Sequence, residues 1–285
     1  MGWLRITLLC AASLLAACST GTRLAYNNLD TLVSVTVGDY VDLQKPQSAA
    51  LKRELKTVWD WHRGHELPLY AATLRDLADT LDGGNPDRAE VTRLLQQVED
   101  GLDRIAQTAR PGLARLLASL DDPQIASLLA QQQKDLDERL KEWADETPEE
   151  RRVRLSEKSE GRIDDWLGRV LPTQQALTER RIAAAEQRGA FDVAKQRAEA
   201  EQQQALFAAV LASRQQPGFE ARLHALNQTE DAVAERDANR ERLRSYFVDL
   251  AATLDVRQRN HLARRLRDFA QDCDVLAAKP IDPPN

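Results

Sequence analysis

The sequence predicts an all-α protein, an elongated bundle of roughly eight to ten amphipathic helices with no sheet. Three observations carry that expectation. Charged residues make up 29% of the 285-residue chain, glycine is held to 12 positions, and Ala, Leu, Gln, Arg and Glu abound, all residues that favour helix. Apolar side chains recur at steps of three and four over long stretches, the period of one helical face. The single β-branched cluster, TLVSVTV at 31–37, has no second candidate strand to pair with, so it reads as helix as well.

The N-terminus predicts an address. Arg5 precedes an apolar run at 6–17 that is too short to span a bilayer and has the shape of a secretory signal. Its end, LAAC at 15–18, resembles the lipobox of bacterial lipoproteins, in which the cysteine becomes the acylated mature N-terminus. The resemblance implies removal of residues 1–17 and lipidation of Cys18 with acyl chains such as palmitate. Several chains exceed the one-chain threshold for lasting attachment, so the mature protein is expected to be anchored to a membrane. Ser19 after the cysteine, by resemblance to Gram-negative sorting, implies the outer membrane, with the protein facing the periplasm. Residues 18–278 then form one helical periplasmic domain, and KPIDPPN at 279–285 is a loose tail.

Loss of Arg5 with the signal takes the net charge from −6 to −7. An acidic chain lacks the concentrated basic surface that phosphate neutralisation needs, so nucleic acid is not an expected partner. Cys10 leaves with the signal and Cys18 is acylated, which leaves Cys273 alone. No intramolecular disulfide can then form, and hydrophobic packing must hold the fold.

The body reads as a series of helices. Val91, Leu94, Leu95, Val98, Leu102, Ile105 and Ala109 make one stripe, continued by Leu113, Leu116, Leu117 and Leu120 beyond Pro111, a proline expected to kink or break the rod. Ile125, Leu128, Leu129, Gln132, Leu136, Leu140 and Trp143 make the next. Near the C-terminus Leu262, Leu266, Phe269, Cys273 and Leu276 form a seam for a neighbouring helix, with Cys273 a small buried hydrophobe on it. Pro46, Pro86, Pro123, Pro148 and Pro172 stand near helix starts, where a missing N–H costs least. Thr147 and Glu150 form a capping box around Pro148.

One phrase recurs at these starts: LQKPQ at 43–47, LDDPQ at 120–124, LPTQQ at 171–175 and LDVRQ at 254–258. The leucine staples the entry loop and the short polar residue satisfies free N–H groups. Spacings of 77, 51 and 83 residues exclude a solenoid, but two related halves meeting near residue 170 fit the pattern. Leu-x-x-x-Gln at a helix start also resembles the LTxxQ phrase of small periplasmic helical chaperones, although no copy here has Thr after the leucine; capping physics alone produces the same phrase.

A broader resemblance rests on Tyr26 and the asparagines after it, on Asp39, Tyr40, Asp42, Leu43 and Gln47, and on Trp61, His62, Arg63, Glu66, Leu67, Pro68 and Tyr70. These residues are similar to an uncharacterised family of Gram-negative lipoproteins, domain of unknown function family 6279, whose usual phrase is WHRxxELPxY. The family implies localisation and fold, and brings no activity.

That phrase lies in WDWHRGHELP, residues 59–68, which holds two of the five tryptophans and two of the four histidines. His62 and His65, three apart, can share a helical face with Glu66 beside them, but HxxHE is neither HExxH nor HxxEH, and His224 and His261 are isolated. Neither a metal site nor a cofactor is predicted. His62 with Asp60 or Glu66 could serve a hydrolase, yet the sequence has no nucleophile elbow, phosphate loop or paired-cysteine motif. The reading adopted is structural: a helix-to-helix corner, with Leu67 and Pro68 opening a new helix.

Nine arginines against four acids between residues 236 and 267 suggest a basic surface built on Arg236, Arg240, Arg244, Arg257, Arg264 and Arg267. It suits an envelope protein, lipopolysaccharide or peptidoglycan. The competing reading pairs it with the acidic segment at 135–150. Together these features predict a non-enzymatic envelope module, adaptor or chaperone-like. A hydrolase using the His62 region and a spacer between membrane and cell wall are the alternatives.

Overall fold

The computed structural model describes residues 19–278; the expected signal at 1–17, the lipidation candidate Cys18 and the tail at 279–285 lie outside them. The described residues form twelve α-helices and one π-helical turn, and no strand. In order they are α1 (Ser19–Asn27), α2 (Leu29–Tyr40), α3 (Lys45–Trp61), the π turn (His62–Glu66), α4 (Leu67–Gly83), α5 (Arg88–Ser119), α6 (Asp122–Asp145), α7 (Pro148–Leu167), α8 (Pro172–Gln187), α9 (Val193–Ala212), α10 (Phe219–Ala225), α11 (Glu230–Ala252) and α12 (Val256–Ala277). The helix count exceeds the sequence expectation because α10 is a seven-residue piece and Asn28 splits α1 from α2. The β-branched cluster at 31–37 is helical, as read.

A helical hairpin forms the frame. Residues 45–83 run without a break through α3, the π turn and α4, and α5 returns antiparallel beside them. Arg104 meets Glu66, Arg115 meets Glu54, and Gln47 reaches Ser119, so the partner number rises as the position along the rod falls. Asn85 in the connecting turn donates to the carbonyls of Ala252 and Leu254, pinning the turn to the end of α11. The rod does not break at Pro111: α5 is a single helix of 32 residues. Proline costs one internal bond there, and packing of α5 on α3, α10 and α11 outweighs it.

Three apolar clusters fill the bundle. The first joins Val37, Val41, Leu51, Leu116, Leu117, Leu120, Leu128, Leu211 and Phe219, from α2, α3, α5, α6, α9 and α10. The second joins Ala78, Leu81, Ile163, Leu167, Leu254, Ala263 and Leu266, from α4, α7 and α12. A smaller third, Tyr26, Leu29, Leu67 and Leu276, lies where α1 and the start of α2 meet α4 and the end of α12. The expected seam on α12 faces α4, with Leu266 and Leu276 buried and Cys273 half-buried against the third cluster, as are Tyr70 and Trp59. The stripe on α5 is buried at Val91 and again near Leu116 and Leu117, whereas Val98 in its middle stays 49% exposed.

Candidate functional site

Each of the two large clusters surrounds a pair of helix starts locked by glutamines. In the first, the third residue of α3, Gln47, and that of α6, Gln124, exchange amide hydrogen bonds in both directions, Nε2 to Oε1 at 2.9 Å and 2.8 Å. Each oxygen also accepts a cap N–H, from Gln44 and Asp121, and each nitrogen donates to a backbone carbonyl just ahead of the facing helix, Ser119 and Asp42. In the second, Gln174 of α8 and Gln258 of α12 do the same at 3.0 Å both ways. They accept from Leu171 and Asp255 and donate to Thr253 Oγ1 and the Arg169 carbonyl. Both donors and both acceptor positions of every amide are used, which is what burial of an amide requires.

This pairing corrects the frame of the third phrase. The paired residue is Gln174, not Gln175, so the apolar residue in register with Leu43, Leu120 and Leu254 is Val170. Gly168 ends α7 in the left-handed conformation, φ 75°, against the His261 ring, and so allows the Arg169 carbonyl to face Gln258.

WDWHRGHELP lies midway along the rod, and the structure gives no corner there. The Leu67 N–H bonds the His62 carbonyl, five residues back, so the chain widens into a π turn and continues. Pro68 explains the widening: an α-helical register would need an N–H at 68 and would press the ring on the carbonyl of residue 64, whereas the wider turn relieves both. The extra residue in the turn also separates the two histidines. His62 is buried, while His65 is exposed, stacked on Trp61 and bonded to its carbonyl at 3.0 Å. They do not share a face, and among the described residues no group of three or more His, Cys, Asp or Glu gathers to hold a metal.

His62 lies in an aromatic cage of Tyr26, Trp59 and Tyr70, with ring centroids 5.7, 6.2 and 5.6 Å away. Its Nδ1 and the Tyr26 hydroxyl share a hydrogen bond of 2.9 Å. Burial pulls the imidazole down to about 4, outweighing the Glu66 carboxylate, and pushes the Tyr26 phenol up to about 12. Glu66, 1% exposed, accepts a fork of two bonds from Arg104, 2.6 and 2.9 Å. Burial alone would raise its pKa, but the Arg104 bonds and charge outweigh it and hold the carboxyl below the usual range. Gly101 allows this approach, since a Cβ there would stand 3.0 Å from the Tyr70 hydroxyl and 3.3 Å from Glu66. The cage carries a cost: Trp59 Nε1 and Arg63 Nε are buried without an acceptor. Through Tyr26, and through Arg23 on the buried Asp272 of α12 at 2.6 Å, the cluster holds α1 against the body.

The six arginines do not form one surface. Arg236, Arg240 and Arg244 lie on α11, and Arg257, Arg264 and Arg267 on α12. Arg236 caps the Asn227 carbonyl, Arg240 lies among Glu99, Asp103 and Asp237, and Arg244 meets Glu241. Arg267 bridges Asp79 and Asp82 of α4, which leaves Arg257 and Arg264 exposed. The carboxylates across from them are those of α4 and α5 and not the segment at 135–150. There Asp137 pairs with Arg197, Glu146 with Arg151 and Arg154, and Asp135 accepts from the Tyr40 hydroxyl.

The molecule is thus an all-α bundle whose buried polar groups include two amide crossings and one aromatic–carboxylate cage, each of which locks helices together. The chain belongs to a family of unknown function (DUF6279), whose pattern matches residues 39–240. That range holds Gln47, Gln124 and Gln174 but ends before Gln258, and it holds His62, Glu66, Tyr70 and Arg104 without Tyr26. No curated protein and no solved structure matches the chain. Sequence reasoning missed Arg104 and Gly101 as partners of the cage; only the contact across the hairpin reveals them.

Proposed function

We propose that this protein is a lipoprotein acylated at Cys18 and held at the outer membrane, its helical body in the periplasm, where it works as a binding or assembly module without chemistry of its own. The observation that carries the reading is LAAC at 15–18 behind a short apolar run that is too short to span a bilayer. The absence of chemistry is supported by the cage. A hydrolase using His62 would need that imidazole to reach solvent, yet it keeps 8% of its surface and its Nδ1 is engaged by Tyr26, while Glu66 is committed to Arg104. The partner is an envelope component, a protein, lipopolysaccharide or peptidoglycan, met by the exposed surface that includes Arg257 and Arg264.

In-cell crosslinking of the full-length protein, followed by recovery from the envelope and mass spectrometry, tests this against an unrelated lipoprotein. One stoichiometric envelope partner makes it an adaptor, and a broad set of outer-membrane precursors makes it chaperone-like. Recovery equal to the control contradicts the binding reading and leaves the spacer.

A further inference from the structure

The first two helices carry an outward surface that the bundle does not use. Leu24 (65%) and Val35 (61%) are the two most exposed large apolar side chains among the described residues, and Leu32 (50%) lies between them. Steps of eight and three residues keep the three on one side of a rod interrupted only at Asn28. Four polar side chains of the same segment are folded back on it: Asn27 and Asn28 donate to the carbonyls of Arg23 and Leu24, and Ser34 and Thr36 to those of Asp30 and Leu32. Amide and hydroxyl groups satisfied by their own backbone lose much of the cost of leaving water, which is how helices carry them in lipid.

Position decides what covers this surface. Cys18 is joined directly to Ser19, the first residue of α1, and nine helical residues reach only about 13 Å from it. Nor can α1 swing as a loose tether, since Arg23 is tied to Asp272, Tyr26 to His62, and Leu29 is buried. We infer that the outward face of α1 and α2, through Leu24, Leu32 and Val35, lies in the bilayer interface beside the acyl chains, so that the lipid surface sets the attitude of the whole body. The inference rests on the lipidation proposed above. Among the described residues no helix is long and apolar enough to cross a membrane, and the segment lies along the surface. The exposed carboxylates of Asp30 and Asp39 keep it at headgroup depth.

The test uses the full chain, purified as the lipidated protein in vesicles of phosphatidylethanolamine and phosphatidylglycerol, with Cys273→Ser and a nitroxide on Val35→Cys. Mass spectrometry of the mature N-terminal peptide first establishes whether Cys18 is acylated. A second label on Val256→Cys is the reference, on an exposed residue that α12 carries about 24 Å along its axis from Asp272. The expected result is a label at 35 that collides with dissolved oxygen and is shielded from a water-soluble nickel chelate at least fivefold more than the label at 256. Equal chelate access at both positions in an acylated protein overturns the inference while leaving the anchor intact. An unacylated Cys18 overturns the anchor and this inference with it.

Discussion

At the first crossing Gln47 and Gln124 each keep 8% of their surface and both donate to backbone carbonyls, whereas at the second Gln174 and Gln258 are fully buried and one donates to a hydroxyl, that of Thr253. The four cap positions differ more: Gln44, Asp121, Leu171 and Asp255. Asp121 and Asp255 accept from the N–H of their glutamine, while Leu171 brings no polar side chain and its glutamine bonds its backbone carbonyl instead. The cap side chain is therefore replaceable. What both crossings keep is the glutamine at the third helical position and an apolar residue before the cap, and the device is the reciprocal amide pair between two helix starts.

The largest expected effect is at the buried crossing. Gln258→Leu strands the Gln174 amide, the Asp255 N–H and the Arg169 carbonyl, and should cost about 4 kcal/mol in urea unfolding. Gln124→Leu, at the crossing that water can reach, should cost about half of that. Equal losses would erase the difference between the two crossings.

Amide pairs do not titrate, so the cage between them should supply the pH dependence. His62 has a folded pKa of about 4, below its ordinary 6.5, so the native state binds fewer protons than the unfolded state between those values. Its contribution is whole above pH 6.5 and is lost as pH falls toward 4, about 3 kcal/mol in all. Glu66, also held low, adds its own loss only as pH drops below the ordinary carboxylate value. Chemical denaturation from pH 7 to pH 4.5 should show the slope in the native chain and a flatter profile in His62→Gln.

Removal of Arg104, which leaves Glu66 buried and unpaired, should cost about 2 kcal/mol, less than a sealed ion pair because the arginine is 40% exposed and water can replace it. The smallest effects distinguish the hairpin from the outer helices. Gly101→Ala presses on Tyr70 and Glu66 and should lose about 1 kcal/mol, while Gly161→Ala, with open space around it in α7, should gain about 0.5 kcal/mol; thermal unfolding reads both signs.

The helices themselves were legible because amphipathic period and proline position are local: Pro46, Pro123, Pro148 and Pro172 all stand in the first turn of a helix. The recurring glutamines were visible too, but their pairing was not, since residues 77 and 84 positions apart meet only in the folded chain. The third phrase was misread by one position because Leu171, a cap without a polar side chain, looks like the leucine that precedes the others. The π turn escaped a reading that knows only steps of three and four, and the same step wrongly placed His62 beside His65. The arginines look concentrated in sequence because their carboxylate partners, Asp79, Asp82, Glu99 and Asp103, lie far back along the chain.

The claim that the cage around His62 docks the N-terminal helix is tested most directly by hydrogen exchange at neutral pH on the native chain and on Tyr26→Phe and His62→Gln. Loss of protection concentrated in residues 23–29, with α3, α5 and α12 unchanged outside the cage, is the predicted result. Native protection of that segment in both variants would contradict it.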